Sequence, residues 1–218
     1  AYDDTIESGA GLDVVAGDSV EIVFIDWLLF KPETITSITT EIGGFDLMVL
    51  DEGDNIGIGG AEDDTISSGA GTDVVAGDSV MMTFDSNTTL LKNITSIATG
   101  VGGYDLLQLG DGDNVGIGGA YDDTIEGGDQ SDVVAGDSVE VIFIDGLLFK
   151  PETITSITTD VGGYDLLSLG NGNNTAVGGA LDDTLVGGYD VDIVAGDSVY
   201  LEFSNETTYL KRLASIDT

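Results

Sequence analysis

Acidic and amide side chains recur every nine residues along much of this 218-residue chain. Carboxylate and amide oxygens are hard ligands, suited to a hard cation that accepts six or more oxygens. The chain contains no histidine and no cysteine, the ligands that zinc and copper prefer. Fourteen positions follow the spacing and are the candidate metal ligands: Asp4, Asp13, Asp46, Asn55, Asp64, Asp73, Asp105, Asn114, Asp123, Asp132, Asp165, Asn174, Asp183 and Asp192.

Two residues after most of these positions stands an aliphatic residue, such as Ile66 or Leu107, and glycines follow. A nine-residue unit cannot bury one apolar side chain alone, so it must stack on copies of itself. Two units make one coil of a flattened helix with a strand on each side, and stacking places carboxylates of adjacent coils close together. Such charges repel unless a cation lies between them. An alternative is that some of these side chains only cap turns by accepting backbone N–H groups.

The pattern resembles the RTX nonapeptide G-G-x-G-x-D-x-U-x, in which U is a large aliphatic residue. Its best match runs Ser68-Gly69-Ala70-Gly71-Thr72-Asp73-Val74-Val75-Ala76. The fourth-position glycine is replaced at four places, by Tyr2, Glu62, Tyr121 and Leu181. The resemblance implies an all-β, right-handed parallel β-roll, a kind of β-solenoid, with calcium-binding turns. It also implies that the fourteen listed residues ligate Ca²⁺ together with turn carbonyls.

A longer period overlies the nonapeptides, because D-D-T followed by Ile or Leu recurs at Asp3, Asp63, Asp122 and Asp182. We expect a single continuous solenoid over 1–218 with units 1–60, 61–119, 120–179 and an incomplete 180–218, arranged ABAB. Each unit carries an insert of β-strand character, and Asp145-Gly146 is a hairpin signal. We interpret each insert as one wider coil with a possible protruding hairpin. Three coils per unit would make about eleven coils and a rod roughly 50 Å long.

The formal net charge of -36, with 41% hydrophobic residues, favours a folded protein stabilised by cations. The chain has no basic patch and no long apolar run, so we expect neither nucleic acid binding nor membrane insertion. Extracellular calcium modules work at about 10⁻⁴–10⁻³ M, which favours a secreted or cell-surface location. Ala1 rather than Met begins the chain, which indicates a processed product or fragment, and no capping unit is evident. We therefore expect copies to join head to tail through open solenoid ends.

The favoured function is an extracellular calcium-stabilised structural or adhesive rod, such as a subunit of a filament or surface layer, and not an enzyme. One alternative is the secretion-promoting repeat domain of a secreted enzyme, although neither H-E-x-x-H nor G-x-S-x-G occurs. Another is binding of ice or mineral through threonines that the predicted coils place one unit apart: Thr34, Thr36, Thr39, Thr153, Thr155 and Thr158.

Four glycosylation sequons occur, at Asn87, Asn93, Asn173 and Asn205, mostly in predicted turns of the shorter units.

Overall fold

The computed structural model describes residues 2–25, 31–88, 90–145, 150–204 and 209–216, and in these ranges every regular element is a β-strand. The strands form three sheets. Sheet A contains β1 (Thr5–Glu7), β5 (Leu47–Asp51), β7 (Thr65–Ser68), β11 (Leu106–Gly110), β13 (Thr124–Gly127), β17 (Leu166–Ser168) and β19 (Thr184–Val186). Sheet B contains β2 (Val14–Ala16), β6 (Ile56–Gly60), β8 (Val74–Asp78), β12 (Val115–Gly119), β14 (Val133–Asp137), β18 (Thr175–Gly179) and β20 (Ile193–Asp197).

Sheets A and B are parallel and are built by the nonapeptides. Each nonapeptide contributes one short strand, and the chain passes alternately through the two sheets. The register repeats without a slip at the core, since Ile66 of β7 lies between Met48 of β5 and Leu107 of β11. These side chains are fully buried between the two sheets together with Val75 of β8. The predicted all-β roll of stacked repeats is therefore confirmed.

Sheet C is built by the inserts and is antiparallel. It contains β3 (Val20–Phe24), β4 (Pro32–Ser37), β9 (Val80–Phe84), β10 (Leu91–Ser96), β15 (Val139–Phe143), β16 (Pro151–Ser156), β21 (Val199–Phe203) and β22 (Leu210–Ser215). Successive pairs of these strands are hairpins, and β4 with β9, β10 with β15 and β16 with β21 join the hairpins of neighbouring units. The inserts are thus hairpins of a third sheet and not wider coils.

The hairpins leave the stack, so each unit of about 60 residues contributes two coils and not the three expected. The described chain makes seven coils, one for each strand of sheet A. At ~4.8 Å per coil the stack is roughly 34 Å long, shorter than the sequence-based 50 Å. The Asp145-Gly146 turn signal falls partly outside the described residues, which include Asp145 but not Gly146.

Sheet B is the middle layer and is buried on both faces. In β8, Val75 faces sheet A, whereas Val74 and Ala76 pack in a second core with Ile94 and Met82 of sheet C. The five residues of β8 are all buried, as are those of β12 and β14. A strand covered on both faces needs apolar or small residues at successive positions, which the V-V-A-G sequence supplies.

Candidate metal centre

Seven aspartates line one edge of the roll, where sheet B turns into sheet A. In this first ladder the backbone N–H of each residue donates a hydrogen bond to Oδ1 of the residue in the next coil, over 2.7–3.0 Å. Its members in stacking order are Asp4, Asp46, Asp64, Asp105, Asp123, Asp165 and Asp183.

A second ladder follows the opposite edge and alternates aspartate with asparagine. The same bond from backbone N–H to Oδ1 links successive coils over 2.7–3.1 Å. Its members are Asp13, Asn55, Asp73, Asn114, Asp132, Asn174 and Asp192. The two ladders together contain all fourteen residues that the nine-residue spacing singled out. In twelve of the fourteen residues, all except Asp4 and Asp13, Oδ1 accepts a backbone N–H, as the capping alternative predicts.

The second carboxylate oxygen, Oδ2, has a different environment. In nine of the ladder aspartates Oδ2 is buried and has no hydrogen-bond partner: Asp13, Asp46, Asp64, Asp73, Asp105, Asp123, Asp132, Asp165 and Asp183. A buried polar atom without a partner costs about 1–3 kcal/mol, and more when it is charged. These oxygens therefore need a proton or a cation.

Burial also governs the protonation of these groups. Desolvation, with a smaller contribution from the nearby carboxylates of Asp105, Asp46 and Asp18, raises the pKa of Asp64 to about 9. Burial likewise raises the pKa of Asp132 and Asp165 to about 8 each, although each accepts a backbone hydrogen bond that lowers it. Without a cation these carboxyl groups thus retain a proton near neutral pH.

Glycines beside the ladders leave room that a side chain would otherwise fill. A Cβ atom on Gly59 would lie 2.1 Å from Oδ2 of Asp64 and 2.3 Å from the backbone oxygen of Gly77. The equivalent atom on Gly118 would lie 2.2 Å from Oδ2 of Asp123 and 2.4 Å from the Gly136 oxygen. A carboxylate oxygen and a carbonyl oxygen of the next coil thus face the same small space.

This donor set fits calcium. The oxygens are hard ligands, and calcium accepts carboxylates and backbone carbonyls together in flexible geometry. Within the described ranges no group of three or more His, Cys, Asp or Glu side chains is placed to hold a metal ion. A bound ion would therefore take one or two carboxylates from a ladder and complete its shell with turn carbonyls.

The nine-residue spacing missed three aspartates with a shared structural role: Asp18, Asp78 and Asp137. They stand where a hairpin interrupts a turn of the first ladder. Oδ2 of Asp78 accepts the Ala120 N–H at 2.6 Å, and Asp137 accepts the N–H groups of Gly163, at 3.0 Å, and Ala180. These side chains hold the interrupted turn to the coil that follows. The repeated A-G-D-S string before each hairpin is the sequence signal for them.

The sequons are dispersed. Asn87 lies in an exposed turn, as expected, and Asn173 lies in a turn beside the second ladder. Asn93 instead lies on β10, where Oδ1 accepts the Thr95 hydroxyl. Asn205 lies outside the described residues. Their glycosylation stays a prediction.

A family model for the RTX calcium-binding nonapeptide repeat matches residues 1–19, 51–79, 100–138 and 168–198, more than half of the chain. The chain belongs to this RTX repeat family. The matched stretches contain every ladder residue except Asp46 and Asp165, and they leave out the strands of sheet C. No curated protein and no solved structure matched the chain.

RTX nonapeptides are calcium-binding motifs, so this RTX chain is a calcium-binding protein and Ca²⁺ is its cofactor. RTX repeats occur in secreted bacterial proteins. In the part of the chain that the structure describes, no helix is long and apolar enough to cross a membrane.

Proposed function

We propose that this RTX chain is an extracellular structural or adhesive rod whose coils are held together by calcium. The observation that carries the proposal is the pair of ladders, which run through every described coil and leave a buried carboxylate oxygen at most steps. A bound calcium ion supplies positive charge between these oxygens. The Asp side chains and turn carbonyls hold the ion, and the apolar cores hold the strands.

Calcium binding is coupled to folding in this proposal. The sites exist only when coils are stacked, so the free energy of binding adds to the free energy of folding. Low cytosolic calcium keeps the chain unfolded for export, and extracellular calcium folds it. The buried ladder carboxylates have structural roles, and RTX β-rolls are typically structural rather than catalytic, which supports a non-enzymatic role.

The ladders have a direction that supports end-to-end association. Every step runs from a backbone N–H to Oδ1 of the next coil, so the described ladders present Oδ1 at Asp4 and Asp13 and end at Asp183 and Asp192. A second copy stacked end to end would continue both ladders, and we propose that copies associate in this way.

The arrangement of threonines in sheet C does not support the alternative of ice or mineral binding. Thr34 pairs with Thr83 on the outer face, so threonines are closer than one unit. However, Met81 pairs with Thr36, and Ile142 pairs with Thr153, which breaks the array. We propose no ice-binding or mineral-binding role.

Far-UV circular dichroism during calcium titration tests the role of calcium. We expect a change from disorder to β-structure that chelator reverses and that equal magnesium does not reproduce. β-Structure that is complete without calcium at neutral pH and indifferent to chelator would contradict the proposal. Sedimentation velocity and electron microscopy in calcium then test assembly, since monomers at all concentrations would rule out head-to-tail stacking by this chain.

A further inference from the structure

The three asparagines of the second ladder close their own turns. Nδ2 of Asn55 donates to the backbone oxygens of Leu50, Asp51 and Gly53 at 3.4, 3.3 and 3.0 Å. Nδ2 of Asn114 donates to two carbonyls of its turn at 3.2 and 3.1 Å, and Nδ2 of Asn174 to two at 3.3 and 3.4 Å. The amide nitrogen thus satisfies carbonyls that would otherwise face an acidic oxygen.

The aspartates of the same ladder cannot close their turns in this way. Asparagine and aspartate have the same shape, and Nδ2 of one corresponds to Oδ2 of the other. Oδ2 of Asp73 and Asp132 is buried without a partner. A carboxylate cannot donate to the turn carbonyls, whereas a positively charged ion contacts both kinds of oxygen favourably.

The residues around the ladder position differ between the two kinds of turn. Five residues before each asparagine stands a fully buried leucine, namely Leu50, Leu109 or Leu169. Five residues before each aspartate of this ladder stands a small residue, namely Ser8, Ser68, Gly127 or Gly187. The leucine fills the core beside the strand that follows, because a Cβ on Gly57 would lie 3.0 Å from Leu50 Cδ1. This packing explains why Gly57 and Gly116 interrupt the aliphatic pattern after asparagine.

The backbone differs in the same way. The residue after the leucine has a left-handed φ in all three asparagine turns, 57° at Asp51, 70° at Gly110 and 68° at Gly170. The equivalent glycines of three aspartate turns, Gly69, Gly128 and Gly188, are outside that region, whereas Gly9 of the Asp13 turn has φ 84°. The three asparagine turns thus share one backbone conformation, which three of the four aspartate turns do not adopt.

From these observations we infer that the second ladder contains two kinds of turn: aspartate turns that take a calcium ion, and asparagine turns in which the side-chain amide occupies the place of the ion. An amide nitrogen does not ligate a hard cation, and Oδ1 of each asparagine already accepts a ladder hydrogen bond. Calcium thus loads the two edges of the roll unequally. This inference rests on the proposed calcium role of the aspartates.

Two isosteric substitutions test this inference. In Asn114→Asp the amide donor becomes a carboxylate oxygen that faces two turn carbonyls, so we expect one additional calcium ion per chain. In Asp132→Asn a candidate ligand becomes a turn-closing amide, so we expect the loss of one ion with the β-structure retained. Bound ions are counted by native mass spectrometry after equilibration in millimolar calcium, and circular dichroism in the same buffer checks the fold.

Each variant is decisive alone. An unchanged ion count in Asn114→Asp would mean that the asparagine turn already holds calcium, and would overturn the inference. An unchanged count in Asp132→Asn would overturn it too, because asparagine would then ligate as well as aspartate. If one variant fails to fold, the other still provides the count. A wild-type chain without bound calcium would instead refute the proposed function, which is a different result from a wild-type chain whose count resists both exchanges.

Discussion

Protons should replace calcium in this protein. Burial raises the pKa of Asp73 to about 6, that of Asp105 to about 7 and that of Asp165 to about 8, each from 3.8. Between these values and 3.8 the folded chain holds protons that the unfolded chain has released. The stability that these groups give to the calcium-free chain is thus fully present below about pH 3.8. It is lost as the pH rises through their folded-state pKa values. We expect acid to fold the calcium-free chain.

The free energy that corresponds to the pKa shift of one aspartate is large. One pKa unit corresponds to about 1.4 kcal/mol, so the shift at Asp165 amounts to about 6 kcal/mol between the two ends of its range. A whole domain is typically stable by only about 5–15 kcal/mol. Loss of the proton from one or two such aspartates is therefore enough to unfold the calcium-free chain.

The assay is circular dichroism of the chelator-treated chain from about pH 4 to pH 9, the range in which these groups titrate. We expect a β signal at the acidic end that disappears as the pH rises and returns on addition of calcium. Asp165→Asn should retain the calcium-free β signal to higher pH than the wild type, because its side chain stays neutral. Asp85→Asn is the matched control, since Asp85 lies outside both ladders and its pKa is lowered by hydrogen bonds from the Thr88 and Asn87 N–H groups.

Two results would refute this reasoning. A calcium-free β signal that is constant or grows with pH would mean that the buried carboxylates do not control folding. Recovery of the β signal at about pH 9 by added salt alone would assign the effect to repulsion between exposed charges, because salt screens exposed charges more than buried ones.

Two further predictions compare equivalent positions of different units. Gly136→Ala should destabilise the calcium-loaded protein by about 1–3 kcal/mol in urea denaturation, since the new methyl group would lie 2.0 Å from Oδ2 of Asp165. Gly196→Ala, where nothing lies within 4 Å, should have almost no effect, and equal effects would contradict the crowding argument. Asp137→Asn should lower the free energy of unfolding by about 1–3 kcal/mol, because two backbone N–H groups share its carboxylate. Asp197 is the exposed residue at the equivalent position, and Asp197→Asn should leave the free energy of unfolding unchanged. A loss of the same size in Asp197→Asn would contradict the proposed role of Asp137 in holding the turn to the next coil.

The sequence predicted the roll and its ladders well because both follow from one short period. The nine-residue spacing placed Asp73 in line with Asn55, 18 residues earlier. It did not place Asp73 beside Asn114, 41 residues later, because a hairpin of sheet C lies between them in the chain. The separate roles of Oδ1 and Oδ2 could not be predicted, because they depend on the orientation of a carboxylate within a turn. Capping describes Oδ1, and ligation stays a prediction for Oδ2 of the same side chain.

The third sheet was predicted incompletely, because a strand-rich insert of this length is compatible with a wider coil or a hairpin. One signal was available in the roll itself. In sheet A the strand Thr65–Ser68 alternates half-buried and buried residues, whereas Val74–Asp78 of sheet B is apolar or small at its first four positions. A strand of the second kind needs a cover on its outer face, and only the inserts could provide one. Asp78 was overlooked because it follows the last nonapeptide before the hairpin and is out of phase with the others.

Sheet C also changes how the rod should respond to tension. In a simple solenoid each coil contacts only its neighbours, and coils can peel away singly. Here the hairpins of adjacent units are paired through β4 with β9, β10 with β15 and β16 with β21, and all pack on sheet B. A coil of 18 residues released alone would lengthen the chain by about 60 Å, and a whole unit of 60 residues by about 200 Å. Because a coil cannot leave without breaking the sheet that covers it, rupture under force should proceed in the longer steps.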